Sequence, residues 1–230
     1  MLLERLLIWI RAAWLSAVCA LIVMAVPMQG VGEASDADTG QSGRERAGSL
    51  NGRRIAALVA DGFHPGETPQ PIAYWEALGA EVIVAGIEPG TVSAAFGPLK
   101  LDITHAVQDI DIESLDAIFV PGGRSPAVLR ESEAVLDFVR RVHAHGGIVA
   151  AICHGPQVPI SAGILDGRRA TCVVVEEREY YAVRDELTEA GGIYVNEPVV
   201  IDGTIITSRL PGDVPVFKAA VAEALRNAGQ

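Results

Sequence analysis

A cysteine followed by a histidine, a glycine and a proline is the segment of this sequence best suited to covalent chemistry. Cys153 comes directly after the apolar run 148–152, and His154, Gly155 and Pro156 follow it. A nucleophile at a sharp strand-to-helix turn has a strained backbone, is exposed above the sheet and lies close to backbone amides. Those amides and the helix dipole are expected to lower the pKa of the thiol. We therefore predict a reactive thiolate at Cys153, although an isolated cysteine is by default a small core residue.

Two further loops could supply partners for this thiol. Glu67 ends the segment 61–67, which follows an apolar run; it either complements the dipole of the helix that it opens or approaches the sulfur as a general acid or base. Gly122 and Gly123 follow the apolar run 117–120 and precede Arg124. Paired glycines expose backbone amides, which suits an oxyanion hole, but they also occur in ordinary turns. His64 is predicted to be an ordinary loop residue.

The elements that must position these loops follow an alternating α/β pattern. Short apolar runs predict strands at 55–60, 81–85, 117–120 and 148–152, helical periods predict helices at 68–78, 132–145 and 214–225, and Asp202-Gly203 predicts a hairpin between 199–201 and 205–207. This order favours a mostly parallel sheet with helices on both faces. Sites in such sheets form at the carboxyl ends of the strands, so the three loops are expected to meet there.

The remaining chemistry-bearing residues predict little. Cys172 has no partner in the sequence and is expected to be structural. No Cys and His spacing matches a zinc site, and no glycine-rich loop has a dinucleotide or P-loop pattern. We therefore expect neither a metal nor an organic cofactor.

The region before residue 53 differs in composition from the rest. Residues 1–30 form a hydrophobic leader, with a charge-free run over 12–27, that resembles a secretory signal peptide or a marginal membrane anchor. Residues 31–52, rich in Gly, Ser, Asp and Arg, are predicted to be a flexible linker before a domain at 53–230. The protein is exported or anchored if the leader is real, and cytoplasmic if translation starts at Met28.

The net charge of the chain restricts its partners. Half of the 230 residues are hydrophobic and the formal net charge is -11. This charge repels the phosphate backbone of nucleic acid and anionic membrane surfaces, so membrane contact is expected only through the leader. A small molecule or a peptide is the expected substrate.

The segment 151–157, Ala-Ile-Cys-His-Gly-Pro-Gln, resembles the ThiJ/PfpI family of the class I glutamine amidotransferase-like superfamily. Supporting motifs are Pro-Gly-Gly-Arg at 121–124, Ser-Ala-Gly-Ile-Leu-Asp-Gly-Arg at 161–168, and Thr-Ser-Arg at 207–209. The resemblance implies a flavodoxin-like three-layer sandwich, a homodimer or higher homo-oligomer, and a nucleophile elbow. It also implies Cys153 as nucleophile beside His154, Glu67 against the sulfur, and an oxyanion site formed by Gly122, Gly123 and the amide of His154, with Arg124 beside it.

The chain departs from the family pattern at two places. Peptidase-like members carry a glutamate after the Gly-Gly-Arg-x-Pro segment that reaches the histidine of a neighbouring subunit, whereas this chain has Ala127. Without a carboxylate to orient it, the histidine of a triad loses much of its catalytic power. The stretch 173–181 is longer and more acidic than in compact members.

Three functions are compatible with these residues. The first is a cysteine-dependent glyoxalase or deglycase that acts on small reactive carbonyls or their adducts. The second is a PfpI-like cysteine peptidase or amidase, against which Ala127 counts. The third is a redox-sensing or chaperone-like stress protein, in which Cys153 is oxidised to a sulfinate held by Glu67.

Overall fold

The computed structural model describes residues 49–174 and 183–228. Its strands are β1 (Arg54–Leu58), β2 (Glu81–Gly86), β3 (Gly90–Ser93), β4 (Lys100–Ile103), β5 (His105–Ala106), β6 (Ala117–Val120), β7 (Ile148–Ile152), β8 (Arg169–Ala170), β9 (Ile193–Tyr194), β10 (Val199–Asp202) and β11 (Ile205–Ser208). Its helices are α1 (Pro69–Ala77), α2 (Ser125–Leu129), α3 (Glu133–Ala144), α4 (Gln157–Ser161), α5 (Val183–Glu189) and α6 (Val214–Asn227). Short 3-10 turns lie at Val107–Asp109, Ile112–Ser114 and Pro211–Asp213.

Seven strands form the main sheet in the order β10-β11-β7-β6-β1-β2-β5. The pairs β11 to β7, β7 to β6, β6 to β1, β1 to β2 and β2 to β5 are parallel, and only the terminal hairpin of β10 and β11 is antiparallel. The carboxyl ends of β1, β6 and β7 therefore lie side by side. The three loops with the candidate site residues leave the sheet at these ends.

Alternating side chains of each central strand pack into different cores on the two faces of the sheet. In β1, Ile55 and Ala57 join the core formed with α1 and α6, whereas Ala56 and Leu58 join the core formed with α3. Burial on both faces explains why the central strands are apolar throughout. The three-layer α/β fold predicted from the sequence is confirmed.

The elements that the sequence did not predict are short or lie away from the main sheet. They include the separate hairpin of β3 and β4, the pair of β8 and β9, and helices α2 and α5. None of them has an apolar run long enough to distinguish a strand or helix from a loop.

The structured region begins before the predicted domain boundary. Leu50 is buried, and its amide donates a hydrogen bond to the carbonyl of Leu78 at 2.7 Å. Residues 49–52, which composition assigned to the linker, therefore pack against the end of α1. The predicted leader and the rest of the linker lie outside the described residues. No described helix has the length and apolarity needed to cross a membrane.

Candidate active site

Cys153 occupies a strained turn directly after β7. Its φ angle is +63°, the one positive value among the non-glycine residues that the structure describes. Two backbone hydrogen bonds hold the turn: the amide of Cys153 donates to Ser208 at 3.0 Å, and its carbonyl accepts from Val173 at 3.0 Å. The predicted nucleophile elbow is therefore present. The prediction that the cysteine is exposed is wrong, because the residue is 5 % exposed and packs under the surrounding loops.

The carboxyl group of Glu67 contacts the sulfur of Cys153. The two side chains form a hydrogen bond, and Oε2 of Glu67 also accepts one from the amide of Gly122 at 3.2 Å. Glu67 is fully buried, and its Oε1 has no hydrogen-bond partner within the described residues. The sequence left two positions open for Glu67: at the start of the helix as a partner of its dipole, or against the sulfur. The structure shows the carboxyl group against the sulfur.

Gly122 is the position that makes this contact possible. A Cβ atom there would collide with Oε2 of Glu67 and would lie 2.6 Å from Cβ and 2.9 Å from Sγ of Cys153. The amide of Gly122 is already bound to Glu67, so we revise its predicted role from oxyanion donor to support for the carboxyl group. The amides of Gly123 and His154 hydrogen bond the sulfur of Cys153, the position expected of oxyanion donors.

Backbone pairing between the loops after β1 and β6 fixes the position of Glu67. Phe63 and Gly123 form an antiparallel bridge, the amide of His64 donates to Gly122 at 3.0 Å, and the amide of Arg124 donates to Gly62 at 2.7 Å. Gly123 has a φ of +86° and faces the backbone of the first loop, with no room for a side chain. The two loops therefore behave as one unit above the sheet.

Burial controls the titration of the thiol and the carboxyl group. Burial raises the pKa of Glu67 from 4.5 to about 7, although hydrogen bonds from Cys153 and Gly122 oppose the shift. The pKa of Cys153 is raised by burial and by the charge of Glu67, whereas the amides of His154 and Gly123 lower it. The predicted lowering of the thiol pKa is therefore wrong, because α4 begins four residues beyond Cys153 and the desolvation of the sulfur outweighs its amides.

The ring of His154 lies beside the sulfur. Its Nδ1 is 3.3 Å from Sγ of Cys153. Burial and the nearby ring of His64 lower the pKa of His154, so the neutral imidazole is favoured. His64 is thus more than an ordinary loop residue, since it acts on His154; its Nδ1 accepts from the amide of Gly66 at 3.1 Å, and its ring contacts that of Phe96.

An open pocket of about 470 Å³ leads to this group of residues. It is lined by Asp61, Gly62, Gly123, Arg124, Ala127, Val128, His154 and Gln157. His154 and Gly123, which border the sulfur, thus form part of its wall. Arg124 and Asp61, both exposed, place a positive and a negative charge there. The pocket has the volume to hold a small-molecule substrate.

Two of the residues around the site could not be found from the sequence. Gln157 lines the pocket, and its side chain donates to Glu186 of α5 at 3.2 Å. Glu186 lies about thirty positions beyond the elbow in a short polar helix, with no motif that marks it.

Cys172, the other cysteine among the described residues, is buried. Burial raises its pKa to about 12, which agrees with the structural role predicted for it. Within the part of the chain that the structure describes, no group of three His, Cys, Asp or Glu side chains could hold a metal ion.

Comparisons with known proteins identify the same region of the chain. The model of the DJ-1/PfpI family matches residues 53–224. The chain is 34 % identical over 173 residues to Deglycase TK1284 of Thermococcus kodakarensis, covering 75 % of this chain and 99 % of that protein. It is 35 % identical over 162 residues to Deglycase PfpI of Pyrococcus furiosus, covering 70 % and 92 % respectively. A solved two-domain protein of Anabaena variabilis, which contains DJ-1/ThiJ/PfpI-like and ferritin-like domains, superposes with a TM-score of 0.71 at 30 % identity, over 75 % of this chain and 48 % of that one.

Proposed function

The chain belongs to the DJ-1/PfpI family, and on that premise we propose that it is a deglycase that works through the sulfur of Cys153. The relatives named deglycases, at about 35 % identity, support a deglycase-like enzyme. The observation that carries the cysteine dependence is the hydrogen bond between Cys153 and a carboxyl group whose pKa is raised to about 7. A group that titrates near neutral pH can both give and take a proton during turnover.

The proposed substrate is the adduct of methylglyoxal with an amine or a thiol. In the first step the thiol of Cys153 gives its proton to the neutral ring of His154, whose Nδ1 is 3.3 Å from the sulfur. The resulting thiolate attacks the adduct carbon that carries the hydroxyl group, and a carbon–sulfur bond forms. The bond from that carbon to the amine or thiol breaks, and protonated Glu67 gives the leaving group its proton. A hemithioacetal on Cys153 and an ionised Glu67 result.

The second stage moves a proton and adds water. Glu67 removes the hydrogen from the carbon bonded to sulfur and passes it to the neighbouring ketone oxygen, which gives an enediol. The hydroxyl proton on the carbon bonded to sulfur then moves through Glu67 to the neighbouring carbon, and the enediol becomes a thioester. Water then attacks the thioester, Glu67 takes its proton, and lactic acid and the thiolate are released. The thiolate takes its proton back from His154. The sum is one adduct and one water converted to the free amine or thiol and lactic acid. The amides of Gly123 and His154, which already face the sulfur, are placed to stabilise the oxyanion formed in the last step.

The test is to incubate the protein with preformed adducts of methylglyoxal and N-acetyllysine or N-acetylcysteine and to follow lactate and the released amine or thiol by NMR. We expect lactate and released product in equal amounts, and for Cys153→Ala no more lactate than in buffer. Cys172→Ala is the matched control, because Cys172 is buried with a pKa near 12 and should be dispensable for turnover.

Two results would contradict this proposal. One is the absence of lactate with the unmodified protein, and the other is an equal rate in Cys153→Ala. A fluorogenic peptide included as a parallel substrate identifies the alternative: cleavage that is lost when Cys153 is alkylated, without lactate formation, would indicate a cysteine peptidase.

A further inference from the structure

Helix α5 brings a negative charge to the neighbourhood of His154. The carboxylate of Glu186 has two hydrogen-bond partners: Oε2 lies 2.6 Å from Nη1 of Arg130, and Oε1 accepts from the side chain of Gln157 at 3.2 Å. Arg130 is itself held by a hydrogen bond from its Nε to Ser161 at 2.8 Å. Glu186 is thus fixed in place, unlike a freely moving surface carboxylate.

The same contacts link Glu186 to the elbow. The amide of Gln157 donates to the carbonyl of His154 at 3.0 Å, so the residue that binds Glu186 belongs to the turn that carries His154. Gln157 is buried and lines the pocket together with His154. The charge of Glu186 acts on the imidazole in the direction that raises its pKa, against the larger effect of burial. From α2, Ala127 and Val128 line the same pocket, and neither side chain carries a charge.

We propose that Glu186 is a positioning residue for His154: its carboxylate, held by Arg130 and Gln157, stabilises the imidazolium that forms when His154 takes up the proton of the Cys153 thiol. The effect of Glu186 on the titration of His154 is independent of the proposed function. Only the effect of Glu186 on turnover rests on the proposed function. A negative charge near a histidine that becomes protonated lowers the energy of the protonated form. In this chain that charge comes from an element of the same protomer that follows the elbow in sequence.

Among the residues that the structure describes, the charged and titratable groups around His154 set the direction of the expected change. Cys153 faces His154 from its own turn, His64 faces it from the loop after β1, and Glu186 faces it from α5. Burial and His64 favour the neutral ring, and Glu186 favours the protonated one. Removing the charge of Glu186 therefore lowers the pKa of His154.

The experiment is an NMR titration of the His154 ring in the full-length protein, with its signal assigned by comparison with His154→Asn. Glu186→Gln keeps the shape of the side chain and removes its charge. Glu189→Gln, on the exposed side of the same helix, is the matched control. Arg130→Met keeps the alkyl stem but removes the positive charge that pairs with Glu186. We expect His154 to titrate at lower pH in Glu186→Gln, at the unmodified pH in Glu189→Gln, and not at lower pH in Arg130→Met.

Two outcomes would overturn the inference. The first is an unchanged His154 titration in Glu186→Gln. The second is a shift to lower pH in both Glu186→Gln and Arg130→Met, since a loss of structure would act alike in both variants whereas a loss of charge would not. For lactate formation from the adducts we expect kcat/KM to fall about two- to fivefold in Glu186→Gln. The titration needs no substrate, so it tests the role of Glu186 even if the protein fails to turn over adducts. If the protein turns over adducts but the His154 titration is unchanged in Glu186→Gln, the role of Glu186 is refuted and the proposed function is not.

Discussion

Two buried ionisable groups, the thiol of Cys153 and the carboxyl group of Glu67, share a hydrogen bond next to His154, which lines the pocket. Burial raises the pKa of both, and the charge of either one disfavours the charge of the other. Groups that interact this strongly titrate as a pair. The pair is therefore expected to carry a single negative charge near neutral pH, with Glu67 as the proton donor whenever the sulfur is ionised.

The raised pKa of Glu67 makes stability depend on pH in a defined direction. Its pKa is about 7 in the folded protein against 4.5 ordinarily, so between these values the unfolded chain loses a proton that the native state keeps. Stability therefore falls as the pH rises from about 4.5 to about 7 and then levels off. Glu67→Gln abolishes this loss, and the variant should gain on the order of 3 kcal/mol relative to the unmodified protein across that window.

Urea unfolding at a series of pH values measures this difference. Glu223→Gln is the matched control, because it makes the same change at an exposed position of the chain. If the difference in free energy of unfolding between Glu67→Gln and the unmodified protein does not change between pH 4 and pH 8, the carboxyl group is not desolvated in the folded protein.

At the scale of elements, the site depends on how closely the turn after β7 approaches β6. Gly155 lies at this approach: a Cβ atom there would collide with the carbonyl oxygen of Val120 and would lie 2.7 Å from that of Ile152. The partners are backbone atoms of central strands, which cannot move without disturbing the sheet. The glycine after His154 is therefore required by space, and its φ angle is not in the left-handed region.

Gly155→Ala tests this close approach. We expect the free energy of unfolding to fall by about 1–3 kcal/mol, as for other overpacked interiors, and turnover to fall because Cys153 and His154 share the displaced turn. Gly212→Ala is the control, since Gly212 is exposed and a Cβ atom there meets nothing within 4 Å; its effect should stay within about 0.5 kcal/mol. Equal stability of the two variants, measured by chemical denaturation, would contradict the packing described for Gly155.

For the whole molecule, the central sheet could be predicted from the sequence and the electrostatics of the site could not. The strands at 117–120 and 148–152 match their predicted bounds because parallel strands buried on both faces are continuously apolar. The meeting of the loops after β1, β6 and β7 follows from the parallel order. The burial of Cys153 and the direction of its pKa shift depend on how those loops fold over the sulfur, which no local pattern encodes. Glu186 reaches the elbow only through tertiary packing of α5, so its spacing in the sequence carries no signal.

If turnover proceeds through the sulfur of Cys153, activity must be lost as that sulfur is alkylated, and graded alkylation measures this loss. The protein is treated with increasing amounts of iodoacetamide, the modified cysteines are located by peptide mapping, and lactate formation from the N-acetyllysine adduct is measured in each sample. We predict that activity falls in proportion to the modification of Cys153 and reaches zero when that residue is fully alkylated, while Cys172 stays unmodified. Activity that survives complete alkylation of Cys153 would contradict it.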